Sequence, residues 1–111
     1  MITAADVFVY VGKLDSVVSA ARRALRTRGL FGFSTEAAED ALTAERASSS
    51  AGYVLCTSGR YAHTESYLRE LALRNRFEIA VLRKTRIRFE HRQPIFGWLA
   101  IWFAASLSQE L

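Results

Sequence analysis

Residues 2–34 read ITAADVFVYVGKLDSVVSAARRALRTRGLFGFS, and this stretch carries the strongest structural signal in the chain. Within it, apolar side chains at 14, 17, 18, 21 and 25 recur three and four positions apart, which is the spacing of one buried helix face. Gly29 follows that segment and is predicted to be the left-handed residue that closes the helix. The apolar segments before and after it are typical of strands. The stretch therefore predicts a strand, a crossover helix and a second, parallel strand.

A second helix and a closing hairpin are predicted after residue 63. Thr64 is a good N-cap, and Glu65–Arg69 and Glu70–Arg74 have the spacing of i,i+4 ion pairs. Residues 77–89 alternate as a strand does, and the uncharged run 95–103 favours a strand buried on both faces. A short turn makes these two strands antiparallel. Between the helices, residues 36–47 are compatible with a further helix, and residues 53–56 with a short extended segment.

The composition is that of one folded domain, which we expect to span residues 1–111. Half of the residues are hydrophobic and 23% are charged, which argues against disorder. The net charge of +4 is spread along the chain and is interpreted as a solvated surface. The lone Cys56 excludes an intrachain disulfide and suits a reducing cytoplasm, the expected location. The uncharged residues 95–107 are fewer than the roughly 20 that span a bilayer, so no membrane association is expected.

The order of these elements resembles the carboxy-terminal half of a class I S-adenosylmethionine-dependent methyltransferase. In that family the fourth strand ends in a segment similar to residues 4–8 (AADVF), and a turn similar to residues 26–29 precedes the fifth strand. Residues 58–64 (SGRYAHT), ahead of a helix, are similar to a signature of the branch of predicted methyltransferases often fused to tetratricopeptide repeats. The family's last two strands also form a hairpin, as residues 77–103 are predicted to do.

The resemblance implies an α/β fold, with a partial Rossmann-like methyltransferase sheet that is mostly parallel and ends in an antiparallel hairpin. The implied sheet order is first strand, second strand, last strand, penultimate strand. The opening strand would then be an exposed edge, which invites association. We therefore expect a homo-oligomer, or pairing with a separate amino-terminal half.

The resemblance also implies part of an S-adenosylmethionine-dependent methyltransferase that acts on a small molecule and is incomplete on its own. The family binds its cofactor with a glycine-rich loop and an acid that accepts from the ribose hydroxyls, a logic shared with dinucleotide sites. Neither element is found in the sequence, whose six glycines are scattered singly. The alternative is a non-catalytic remnant or partner subunit that retains the fold. The methyl acceptor is not indicated.

Five residues are candidates for a site in this framework. Asp6, at the end of the opening strand, is the cofactor-binding candidate, although it also suits capping of the next turn. Tyr10 and Arg60 are the substrate-binding candidates, because an arginine can hold a carboxylate with two hydrogen bonds. His63 and Tyr61 are the catalytic candidates, since a neutral imidazole can take a proton from a methyl acceptor. The alternative is that both only fix the start of the following helix.

Other chemistries have little support in the sequence. His63, His91 and Cys56 do not have metal-ligand spacing, so no metal site is expected. Lys84 and Arg86 begin a basic stripe along the predicted strand, but no interleaved exposed aromatic platform is evident. A charged edge strand is also a common protection against aggregation. Nucleic-acid binding is therefore not expected.

Overall fold

A computed structural model describes residues 1–4, 8–38, 52–56, 59–90 and 92–105. The elements follow in the order β1 (Ile2–Ala4), a 3-10 turn (Phe8–Tyr10), α1 (Asp15–Ala24), β2 (Leu30–Ala37), β3 (Tyr53–Leu55), β4 (Tyr61–His63), α2 (Glu65–Arg74), β5 (Phe77–Glu90) and β6 (Gln93–Ala104). The predicted helix over 36–47 lies mostly outside the described residues. Its first two positions belong to β2, which is longer than the predicted strand over 30–34.

The described strands form one six-stranded mixed sheet with β2 near its centre. β6 pairs antiparallel with one edge of β2, while β1 and β4 pair in parallel with its other edge, at residues 31–33 and 36–37. The predicted order β1, β2, β6, β5 is confirmed, as is the hairpin. The mostly parallel sheet is not, because three of the described pairings (β2–β6, β3–β4 and β5–β6) are antiparallel. The three-residue strands β3 and β4 are too short for periodicity to predict their pairing.

The two helices cover the same face of the sheet, which we call the inner face. Period-two alternation along β2 turns Phe31, Phe33 and Thr35 toward this face, where all three are buried. Trp102 of β6 lies opposite Phe31 and meets the Phe33 ring edge-on at 4.8 Å. The core cluster also takes in the buried residues of both helices, which are Leu14, Val18 and Ala21 on the first and Tyr67, Leu68, Leu71 and Ala72 on the second.

The other side of the sheet, which we call the outer face, corrects the expectation for the last strand. Ala100, Trp102 and Ala104 are buried, but Leu99 and Ile101, which alternate with them, are 42% and 36% exposed. Cross-strand partners share a face, so Leu30 of β2, which pairs with Phe103, belongs to the same surface. β6 is therefore buried on one face within this chain. The outer face carries apolar side chains that the described residues leave partly exposed.

Alternation along β5 is interrupted twice, which the sequence pattern did not predict. The register with β6 shifts between Ile79 and Val81 and again between Arg86 and Arg88. Each shift moves the following side chains to the opposite face, as an extra residue in one strand does. Ile79 consequently pairs with Trp102 on the inner face, while Val81 pairs with Ile101 on the outer face.

The end of α1 also differs from the prediction. Arg28, with φ of 66°, is the left-handed residue, and the helix ends at Ala24. Gly29 is needed for a close approach instead, because an added Cβ would lie 2.8 Å from the carbonyl oxygen of Arg26. The start of α2 follows the prediction, since Thr64 Oγ1 accepts from the backbone N–H of Tyr67 at 3.2 Å. Glu65–Arg69 and Glu70–Arg74 form the predicted ion pairs, at 2.7 and 3.8 Å.

Gly97 and Gly32 offer a matched test of strand packing. A Cβ at Gly97 would lie 2.4 Å from the backbone oxygen of Thr35 and 2.6 Å from Ile87 Cδ1, whereas at Gly32 the nearest atom would be 3.8 Å away. We expect Gly97→Ala to lower the free energy of unfolding by about 1–3 kcal/mol, the usual cost of overpacking. Gly32→Ala should leave it unchanged or raise it. Urea denaturation followed by circular dichroism measures both, and equal stabilities would contradict the described register.

Candidate functional site

The buried polar residues Thr35 and His63 lie at one edge of the sheet. Because β1, β2 and β4 are parallel, their carboxyl ends lie at the same edge. α2 begins two residues after β4 ends, and the segment from β1 to α1 begins at this edge as well. The starts of both helices are thereby brought to the ends of the strands, which is where open α/β sheets bind their ligands.

His63, the last residue of β4, is fully buried and joins three segments. Its Nε2 lies 3.0 Å from the backbone oxygens of both Val11 and Gly12, and its Nδ1 is hydrogen-bonded to the Thr35 hydroxyl. A carbonyl oxygen only accepts, so Nε2 carries the proton and Nδ1 accepts from Thr35. The imidazole therefore connects β4 to β2 and to the segment ahead of α1.

Burial holds this imidazole in its neutral form. Desolvation lowers the pKa of His63 to about 4, although the two backbone carbonyls act in the opposite direction. Both ring nitrogens have protein partners, which is the arrangement of a residue that positions its neighbours. The predicted catalytic role of His63 stays a prediction.

A second polar cluster ties the starts of the two helices together. The Tyr67 hydroxyl accepts from the backbone N–H of Leu14 at 2.8 Å and donates to Asp15 Oδ1 at 2.8 Å. Arg74 Nη1 lies 3.1 Å from the other Asp15 oxygen. Leu14 occupies the N-cap position of α1 without a side-chain cap, so the tyrosine satisfies an N–H group that the helix leaves open. Burial and the neighbouring carboxylate raise the pKa of Tyr67.

The cluster forms one wall of a cleft of about 540 Å³ that lies between the start of α1 and the length of α2, from Thr64 to Arg74. Four charged side chains line it, two of each sign, together with Tyr53, Tyr67 and hydroxyls of α2. The charged residues are Lys13, Asp15, Glu70 and Arg74. The volume is within the range of small-molecule pockets, about 300–1,000 Å³. The balanced charges suit a polar molecule that both donates and accepts hydrogen bonds.

The predicted site residues lie near this edge in different environments. Tyr61 is half-buried, and its ring packs edge-on against Tyr53 at 6.2 Å. Arg60 is half-buried just before β4, while Tyr10 is 63% exposed at the end of the 3-10 turn. Asp6 lies outside the described residues. The structure thus brings Tyr61 and His63 together on β4, and the roles of all five residues stay predictions.

The sequence did not predict a role at the site for four further residues, which are Thr35, Tyr67, Asp15 and Arg74. Tyr67 gave a usable signal, because a tyrosine on a buried helix face needs a partner for its hydroxyl. Asp15 and Arg74 gave none, since they meet only after both helices have docked on the sheet. Thr35 lies just after the end of the predicted strand over 30–34. Its inward orientation follows from the continuation of β2 to Ala37, which the sequence did not predict.

Comparison with solved structures identifies the architecture. A Methanosarcina mazei S-adenosylmethionine-dependent methyltransferase matches with a TM-score of 0.70 at 18% identity, over 93% of this chain and 57% of its own. The magnesium protoporphyrin IX methyltransferase of Synechocystis matches with a TM-score of 0.62 at 19% identity, over 93% and 43%. The fold is that of S-adenosylmethionine-dependent methyltransferases. A third match, at 14% identity and a TM-score of 0.63, is the Burkholderia thailandensis 1,6-didemethyltoxoflavin-N1-methyltransferase, over 94% and 44%.

The resemblance noted in the sequence is therefore confirmed for the fold. The chain spans about half the length of these solved methyltransferases while nearly all of it is matched. No family model matches the chain, and no curated protein matches it. In the part of the chain that the structure describes, no helix is both long and apolar enough to cross a membrane.

The glycines of this chain do not form the glycine-rich loop that holds S-adenosylmethionine in this fold, since Gly59 alone combines a positive φ with open space around it. Such a glycine leaves space for a ligand to approach its backbone. At Gly12 and Gly52 that space is filled by protein, because an added Cβ would lie 2.7 Å from the Tyr61 ring and 2.4 Å from Tyr67 Cβ. The space at Gly97 is filled by Thr35 and Ile87. The glycines of the described residues therefore do not form a cofactor loop by themselves.

We expect Tyr67→Phe to lower the free energy of unfolding by about 1–3 kcal/mol. The substitution leaves the N–H of Leu14 without the acceptor it has in the buried cluster and removes the bond to Asp15. Tyr10→Phe is the control, because Tyr10 is 63% exposed and its change should stay within about 0.5 kcal/mol. Urea denaturation measures both variants. Equal effects would show that the tyrosine hydroxyl does not cap α1.

The lowered pKa of His63 predicts a specific pH dependence of stability. In the unfolded chain the imidazole takes up a proton near pH 6.5, whereas in the folded chain it does so only near pH 4. The contribution of His63 to the free energy of unfolding should therefore be constant above pH 6.5. It should fall as the pH drops toward 4 and level off below pH 4, with a total loss of about 3 kcal/mol. We expect His63→Gln to remove this component. Denaturation curves for both proteins from pH 8 to 4 measure it, and parallel profiles would contradict the assignment.

Proposed function

We propose that this chain is the carboxy-terminal part of an S-adenosylmethionine-dependent methyltransferase acting on a small molecule in the cytoplasm. The observation that carries the proposal is that nearly all of this chain matches the methyltransferase fold, whereas only about half of each solved methyltransferase is matched. The Methanosarcina mazei and Synechocystis methyltransferases match this chain over 93% of its length, but the chain covers only 57% and 43% of theirs. The Synechocystis and Burkholderia thailandensis neighbours are named for different substrates, so the fold supports the reaction class and leaves the acceptor open.

The remaining part of the fold is the partner that we propose for the outer face. Leu30, Leu99 and Ile101 are 36–42% exposed on neighbouring strands, and a contiguous apolar surface of this kind marks an interaction site. An amino-terminal methyltransferase half, attached or separate, would cover it and contribute the glycine-rich loop that this chain does not have. Self-association through the same face is the competing arrangement.

Within this proposal the chain supplies the acceptor side of the site. Its cleft, between the start of α1 and the length of α2, offers polar contacts on that side, with Tyr10 and Arg60 as further contacts. S-adenosylmethionine, when bound by the completed fold, supplies an activated methyl group. Asp6 is assigned to the cofactor, as the resemblance implies, and Tyr61 and His63 are assigned to the reacting groups because of their side-chain chemistry.

Titration calorimetry with S-adenosylhomocysteine tests the proposal. We expect no binding to the purified chain alone and saturable one-site binding once a glycine-rich amino-terminal methyltransferase half is bound to it. Light scattering should show complex formation, which Ile101→Asp abolishes because the charge falls on the outer face. Leu73→Asp is the matched control and should leave the complex intact, because Leu73 is 79% exposed on α2, which covers the inner face. A folded complex without affinity for S-adenosylhomocysteine would favour the alternative, a non-catalytic partner subunit that has kept the fold.

A further inference from the structure

The β5–β6 hairpin extends past the end of the central strand. Glu36, the penultimate residue of β2, pairs with Gly97, and the hairpin continues beyond that point to its turn. We call residues 84–90 and 92–96 the hairpin arm. Because β6 runs antiparallel to β2, the arm projects from the carboxyl edge of the sheet, the edge at which His63 and both helix starts lie.

One face of the arm combines cations with exposed aromatic rings. Phe96 and Trp98 alternate with buried Ala100 and Trp102 along β6, so they belong to the inner face. Arg86 pairs with Phe96 and therefore shares this face. By the same reasoning, Lys84, which pairs with Trp98, and Phe89, which pairs with Pro94, lie on it too.

The aromatic rings of this face are open to solvent. Phe89 is 58% and Phe96 is 38% exposed, and Arg86 is exposed as well. The Arg86 guanidinium carbon lies 4.6 Å from the centroid of the Phe89 ring. Such stacking occupies the flat side of the guanidinium, while its N–H donors point outward along the edge. Phe89 thereby holds Arg86 in an orientation suited to a carboxylate.

The face is continuous with the site at the sheet edge. Trp98 is two residues from Phe96 on the same strand, and its indole N–H donates to the backbone oxygen of His63 at 3.1 Å. The inner face of the arm therefore begins where β4 ends. Protection of an edge strand needs charge alone. Two exposed phenylalanines on the same face would work against that purpose, so they require another explanation.

We propose that the inner face of the hairpin arm binds a planar aromatic anion. Its ring would lie on Phe89 and Phe96, and its carboxylate would accept hydrogen bonds from Arg86 in the field of Lys84. Resting on the proposed function, we assign this ligand as the methyl acceptor, because the arm stands at the edge where the acceptor side of the site lies.

The number of cations favours a small ligand over a polynucleotide. Among the described side chains of the arm and its base, Lys84 and Arg86 lie on the inner face, Arg83, which pairs with Leu99, points to the outer face, and Arg92 lies in the turn. Affinity for a nucleic acid grows with the number of phosphates that are neutralised. Two cations suffice for one carboxylate but provide little affinity for a polyanionic strand.

The test is a fluorescence titration of the full chain with 1-pyrenecarboxylate and with the neutral 1-pyrenemethanol. We expect saturable binding of the carboxylate, about tenfold tighter than that of the alcohol, since a charge-assisted hydrogen bond is worth about that factor. Arg86→Gln should remove most of this difference, and Phe89→Ala should weaken both ligands. Arg23→Gln is the control, because this exposed arginine of α1 lies on a different element.

Amide chemical shifts in ¹⁵N spectra locate the probe and separate the outcomes. Shifts confined to the arm and Trp98 would support the proposal. Equal affinity for the two pyrenes, or shifts centred on the outer face, would overturn it. Tighter binding of a twelve-residue oligothymidylate, with a steep salt dependence, would assign the arm to nucleic acid and overturn it too. Since no cofactor is present, the outcome is independent of the S-adenosylhomocysteine titration that tests the proposed function.

Discussion

The buried imidazole of His63 is the constraint on which the carboxyl edge of the sheet depends. It accepts a hydrogen bond from Thr35 on β2 and donates its Nε2–H to two carbonyl oxygens ahead of α1. A buried polar group without a partner costs about 1–3 kcal/mol, so these segments are held in one mutual arrangement. Tyr67 continues the arrangement by capping α1 from α2. The edge is thus fixed by directional polar bonds, whereas the middle of the sheet is held by the packing of Phe31, Phe33 and Trp102.

Much of the fold could be predicted from short-range patterns, and the site could not. The cap at Thr64 and the ion pairs of α2 involve residues within four positions of one another, so their spacing is sufficient evidence. His63 shows the opposite case, because its partner Val11 lies 52 positions away. From the sequence alone, His63 is only a histidine next to the start of a helix, whether its ring is buried or exposed. Only the docking of β4 on β2 shows that the ring is buried and that both nitrogens are occupied.

The register shifts in β5 illustrate a second limit. Simple alternation places Ile79 and Val81 on one face, but the extra residue between them puts Ile79 against the core and Val81 on the outer face. A sequence pattern with a period of two cannot reveal where such a shift occurs. The error matters beyond β5, because the assignment of Lys84 and Arg86 to a face depends on it. The aromatic residues that share a face with these cations are Phe96 and Trp98 of β6 and Phe89, which follows the second shift. For this reason the sequence pattern did not show aromatic residues beside the basic stripe.

β6 connects the three regions of the molecule through one alternating row of inner-face residues. Trp102 lies in the core, Trp98 bonds to the end of β4, and Phe96 stands on the arm. Pairing on both sides fixes β6 over most of its length, so the base of the arm has little freedom to reorient. A ligand that binds there would meet side chains already held in place, which reduces the entropy lost on binding. The long hairpin is therefore better suited to present a preformed surface than to close over the site as a hinged lid.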